Sequence, residues 1–162
     1  MTGKDVWVTV CGRSDADETP VREYGSGIWQ RIGSTDCVRY IQKTEDGPDT
    51  VVLLRIEGDC LSVTRRGAVE SAMVFRSGER HLCRMKTPAG LLEFGVATNA
   101  LEIRKPGTDQ ETEQKQEQGQ DQEHGENGMF PVCIRAEYDL EAQGCTISSH
   151  ILEMVITETS IR

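Results

Sequence analysis

The sequence predicts an all-β fold: a closed antiparallel meander barrel of eight to ten strands forming a single domain over residues 1–162. Three observations carry that expectation. Apolar residues recur with period two, the runs follow one another at short and regular spacing, and no long helical pattern interrupts them. A barrel is preferred to an open sandwich because closing the sheet removes exposed strand edges. The length is ample for one hydrophobic core.

The first strand is read from Val6-Trp7-Val8-Thr9-Val10-Cys11, where valines take one face and Trp7, Thr9 and Cys11 the other. Similar runs follow at 21–32, 36–44, 49–57, 60–66, 69–76, 79–87, 90–105, 130–141 and 144–158. Between them stand Asp46-Gly47-Pro48, Gly58-Asp59, Ser77-Gly78, Pro88-Ala89-Gly90 and Gln143-Gly144. These supply the positive or fixed φ that a reversing chain needs. No internal repeat is visible.

From 107 to 128 the pattern stops. This stretch contains seven acidic residues, six glutamines, four glycines and one lysine, and no apolar residue. It cannot bury enough surface to offset its ordering entropy, so it is expected to be a disordered Gln/Glu-rich loop between two strands. It also reshapes the charge. The chain carries a net -9 from 27 acidic and 18 basic residues, and the insert alone contributes -6 of it. The acidity therefore weighs against nucleic acid for the whole chain and only weakly for the barrel.

No run approaches the roughly 20 apolar residues of a membrane-spanning helix. Asp5, Asp15, Asp17 and Glu18 break up the first twenty residues, so no secretory signal is expected, and a cytoplasmic protein with no membrane partner is. Cys11, Cys37, Cys60, Cys83, Cys133 and Cys145 include no C-x-x-C pair, and His81, His124 and His150 form no metal-ligand pair. The expectation is reduced, half-buried thiols, with no metal and no cofactor.

Parity within each strand assigns faces. Arg65 shares a face with Leu61 and Val63, His81 with Cys83 and Met85, Tyr138 with Val132, Ile134, Ala136 and Leu140, and His150 with Leu152, Met154 and Ile156. If those faces are the core, Arg65, His81, Tyr138 and His150 are polar groups of the interior, and an interior guanidinium needs a partner. Gly25, Gly27, Gly95, Ala97 and Ala136 are small enough to leave room beside them.

These residues also carry a family pattern. Arg65-x-Gly67-Ala68-Val69, then Phe75-x-x-Gly78, then Gly90-x-Leu92-x-Phe94-x-Val96-x-Thr98 resembles the YwiB-like bacterial domains of unknown function, a calycin-like branch of barrels related in architecture to lipocalins. Gly27-x-Trp29, Tyr138-x-Leu140 and Leu152-x-Met154-x-Ile156 fit the same pattern. Met85, Ala89 and Gln42 stand where that family has aromatic residues, and the insert has no counterpart in it. The resemblance implies a calycin-like barrel in a bacterial cytoplasm and no known activity.

Three functional readings follow. The first is binding of a small apolar or amphipathic molecule in the interior by Arg65, His81, Tyr138, His150 and Trp29, for which an interior cavity of about 300 Å³ or more is expected. The second is a non-catalytic interaction module whose outer basic strip, Arg80, Arg84 and Lys86, meets a protein or nucleic-acid partner. The third is catalysis, against which stands the absence of a nucleophile elbow, phosphate loop, zinc-protease helix or dinucleotide fingerprint. The chain is therefore read as a non-enzyme that binds a small ligand.

Overall fold

The computed structural model describes residues 3–43, 49–106 and 129–159. They form ten strands: β1 (Lys4–Ser14), β2 (Asp17–Ile32), β3 (Thr35–Gln42), β4 (Thr50–Glu57), β5 (Cys60–Arg66), β6 (Glu70–Phe75), β7 (Arg80–Thr87), β8 (Gly90–Arg104), β9 (Val132–Ala142) and β10 (Cys145–Glu158). Each strand pairs antiparallel with the next, and β1 pairs with β10, which closes the barrel. The turn at Asp46-Gly47-Pro48 and the insert at 107–128 lie outside the described residues. Among the described residues no helix is long and apolar enough to cross a membrane.

The alternation read from the sequence becomes an inside and an outside. Val6, Val8 and Val10 are buried, whereas Trp7 between them is 43% exposed. Every strand contributes at least one buried apolar or aromatic side chain, β2 through Trp29 alone. The β1–β2 hairpin runs further than the apolar pattern suggested, because polar residues from Gly12 to Ser14 still pair across to Val21 and Asp17. Strand pairing needs only backbone groups, so it outlasts the hydrophobic signal. Between β9 and β10, Gln143 (φ 53°) and Gly144 (φ 80°) both adopt positive φ, as the two-residue turn of a right-twisted hairpin requires.

The small residues of β2 do not leave empty space. A Cβ on Gly25 would lie 2.6 Å from the Ile41 carbonyl oxygen and 2.8 Å from the Tyr40 ring. At Gly27 it would collide with the Arg39 carbonyl oxygen and the Tyr40 Cβ. The two glycines thus let β3 and the Tyr40 ring settle against β2, and Tyr40 is wholly buried. Gly95 faces outward beneath the Arg80 guanidinium.

The end of the barrel that holds the start of β3 and β9 is sealed. Trp29 packs edge-on against Phe130 with ring centroids 5.6 Å apart. Beside it the carboxylate of Asp36 accepts hydrogen bonds from Arg31 and Lys105, each at 2.8 Å. Burial works against ionisation of Asp36, but the two cations outweigh it and hold its pKa below the usual carboxylate value.

A carboxylate with a depressed folded-state pKa contributes stability above its unfolded pKa, about 3.9, and loses it as pH falls through the folded value. Asp36→Asn is therefore expected to cost about 1–3 kcal/mol at pH 7, less than a fully buried pair because Arg31 is half exposed. Urea unfolding of both proteins from pH 7 to pH 2.5 checks this: the gap between them should narrow below about pH 4.

Candidate functional site

At the opposite end the interior turns polar. Arg65 on β5 sits in register with Val52 and Ser71, both buried, so its side chain enters the barrel. Its Nη1 donates to Gln42 Oε1 at 2.9 Å and lies 3.6 Å from Glu23 Oε1. The two charged side chains are only 26% and 18% exposed, so much of their hydration is gone and each depends on the other. Burial pushes the Tyr40 phenol up to about 12; Arg65 opposes this and Glu23 adds to it. The hydroxyl is consequently a neutral donor at any physiological pH.

Across the barrel, the Tyr138 ring lies edge-on to Phe75 at 4.9 Å and stacks on His150 at 5.1 Å, tilted by 10°. Burial raises the Tyr138 phenol against the pull of Arg65. Burial also lowers the His150 pKa, with Asp15, Asp17 and Asp139 opposing, so the imidazole is neutral at pH 7. Its Nε2 lies 2.7 Å from Ser148 Oγ. That is a nucleophile–base distance, but among the described residues no carboxylate bonds the second ring nitrogen to orient it.

Three buried oxygens have no hydrogen-bond partner among the described residues: Tyr40 Oη, Thr98 Oγ1 and Glu23 Oε1, the last of which is only ion-paired with Arg65. Thr98 on β8 pairs directly with Tyr138, on the wall across the barrel from Tyr40 on β3. Leaving a buried hydroxyl unpaired costs about 1–3 kcal/mol, and native proteins rarely accept it. Met73, Phe94, Leu140 and Leu152 are half-buried apolar side chains packed against the core.

The structure stacks His150 on Tyr138 and brings Arg65 near enough to act on the Tyr138 phenol, a convergence that strand parity leaves open, and it places the other two differently. Trp29 seals the far end. His81 shares the inward parity of Cys83, but its Nε2 lies 3.0 Å from Glu79 Oε1 beside the β6–β7 turn. Sequence reading missed Glu23, Tyr40, Gln42, Thr98 and Ser148 as partners. Extending the parity of Gly25, Gly27 and Trp29 back two residues would have placed Glu23 inside, and Val38 does the same for Tyr40.

The outer basic strip is electrically countered. Arg80 pairs with Glu141, Arg84 with Glu93 at 2.9 Å, and Lys86 sits directly opposite Glu70. The middle of the barrel is filled by Tyr40, Leu54, Leu61, Val63 and Phe75. Open space lies near both ends: about 190 Å³ beside Trp29, Asp36 and Val132, and at the rim of the mouth a cavity of about 170 Å³ lined by Gly12, Ser14, Val21, Tyr138 and His150 among others. That is smaller than the expected interior volume, and a groove of about 400 Å³ adjoins it across Asn99, Asp139 and Ser149.

Residues 8–154 match the family model described as Domain of unknown function (DUF1934). The chain belongs to the DUF1934 family. That family's description assigns no activity, and no curated protein matches the chain. A solved structure is similar, the crystal structure of the ywiB protein from Bacillus subtilis, with a TM-score of 0.69 and 14% identity over 98% of this chain and 93% of that one. At that identity the likeness shows the fold alone, and for DUF1934 it agrees with the closed all-β barrel described above.

The Arg65–Glu23 pair makes a test of the interior electrostatics. Arg65→Met should cost about 2–4 kcal/mol, because it strands a carboxylate inside the barrel. Adding Glu23→Gln should recover a good part of that loss. A double-mutant cycle by urea denaturation reads the coupling directly, and purely additive losses would contradict the pairing.

Proposed function

We propose that this DUF1934 barrel is a non-catalytic binding module for a small amphipathic molecule at its polar mouth. The observation that carries the proposal is the pair of buried hydroxyls without hydrogen-bond partners, Tyr40 Oη and Thr98 Oγ1, in an interior that also holds the Arg65 guanidinium with donors to spare. A ligand carbonyl or carboxylate would take the free donors of Arg65 and the Tyr40 hydroxyl. Its hydrocarbon part would lie against Met73, Phe94 and Leu140. The rim cavity beside Tyr138 and His150, about 170 Å³, would be the way in, and it is below the roughly 300 Å³ and more of drug-sized sites, so the ligand proposed is a compact molecule. The Ser148–His150 pair is assigned to holding Tyr138 in place, because a neutral imidazole stacked flat on the phenol fixes its angle.

Octanoate and its uncharged analogue octanamide are suitable probes, titrated by isothermal calorimetry alongside native mass spectrometry of gently purified protein. Saturable binding of octanoate is expected. Tyr40→Phe should weaken it about 10-fold through one lost charge-assisted hydrogen bond, while leaving the unliganded melting temperature unchanged or higher. A native mass equal to that of the bare chain, with no saturable binding of either probe up to millimolar concentration, would overturn the proposal.

A further inference from the structure

The outer face of β2–β5 has a composition unlike the rest of the surface. Its outward residues, taken from the pairing register, include Tyr24, Ile28, Ile32, Arg39, Leu53, Arg55 and Arg66, and from Tyr24 on β2 across to Arg66 on β5 no outward position carries a carboxylate before the β4–β5 tip. Glu57 at that tip and Asp5 on β1 mark the margins. Ile28 is 49% exposed and Ile32 61%. A shallow groove of about 430 Å³ runs here, with Ile28, Ile32, Cys37 and Leu53 on its apolar side and Arg39 and Arg55 on its charged side.

The arginines of this face also lack ion-pair partners. Elsewhere on the barrel Arg76, Arg80, Arg84, Arg104 and Arg135 pair with carboxylates, and Arg13 on β1 is the exception among the described residues. Among the described residues, Arg39, Arg55 and Arg66 have no such partner, and neither does Arg22 just above them. Exposed apolar side chains, aromatic residues and unpaired arginine, with Asp, Glu and Lys excluded, is the composition of the centre of a protein–protein interface.

We propose that this face docks a different protein, whose surface places carboxylates around an apolar patch. The carboxylates meet Arg39 and Arg55, and the apolar patch covers Ile28, Ile32 and Leu53. A second copy of this chain is a poor occupant, because a two-fold contact would set the same arginines against each other with no acid between them. Single-stranded nucleic acid is a weaker fit than protein. The groove floor is aliphatic, and the exposed aromatics Trp7 and Tyr24 stack on each other at 6.4 Å, leaving fewer free ring faces for bases.

Panning a phage-displayed library of random 12-residue peptides on the full chain, with Arg39→Glu/Arg55→Glu protein as the counter-selection, tests this. Both arginines are exposed and unpaired, so the variant should melt with the wild type, which is checked first. Enriched sequences should combine acidic with aliphatic residues, and the best of them should bind the variant at least about 10-fold more weakly by fluorescence anisotropy. Enrichment without acidic bias, or equal binding to both proteins, would overturn the proposal. So would tighter binding of a labelled oligo(dT), or a concentration-dependent dimer in sedimentation that Ile28→Glu abolishes. None of these outcomes touches the mouth site, which keeps Tyr40 and Arg65 in both proteins.

Discussion

Everything in this molecule depends on the pairing of β1 with two partners at once. From Val6 to Ser14 it pairs with β10, and over nearly the same length it pairs with β2. With both of its edges satisfied, the described sheet has no free backbone rim, and its concave face becomes a finite interior. A closed interior is demanding. Each inward position must be filled by an apolar group or by a polar group whose partners are also inside. Most positions take the first solution, with Val8, Val38, Leu54, Val96 and Ile156 as examples.

The exceptions lie near the two ends and are solved differently. At the sealed end Asp36 receives two cations, and Trp29 covers the opening with Phe130. At the mouth, Arg65 is matched by Gln42 and Glu23, yet Tyr40 and Thr98 remain without partners. The difference is physical: the first cluster is complete with the chain's own groups, and the second is not. An incomplete polar cluster beside half-buried apolar side chains is the feature expected of a binding site, since a ligand can supply the missing hydrogen bonds.

Much of the architecture was legible in the sequence because period-two alternation encodes one structural fact repeatedly, namely which side chains face inward. That is why the ten strands, the inward direction of Arg65, Tyr138 and His150, and the Gln143-Gly144 turn could all be read in advance. The composition of the mouth was harder to read. Glu23 stands in the stretch Val21-Arg22-Glu23-Tyr24, where alternation carries no consistent apolar signal to say which parity faces inward. Barrel closure and strand tilt bring Tyr138 to Phe75, and no local pattern reports such contacts. Pairing of charges across strands was equally hidden: Arg80 and Arg84 look like a basic strip until Glu141 and Glu93 arrive beside them, while Arg39 and Arg55, far less prominent in the sequence, are among those without a carboxylate partner in the described residues.

The mouth and the outer face of β2–β5 are separated by the wall of the barrel, so a single experiment can tell which of them a small amphipathic molecule uses. Chemical-shift mapping of isotopically labelled protein with octanoate is the most direct measurement. The account predicts perturbed resonances at Tyr40, Arg65, Thr98 and Tyr138, with the outer residues Ile28, Arg39 and Arg55 unmoved. Perturbations confined to those outer residues, or none at saturating octanoate, would contradict it.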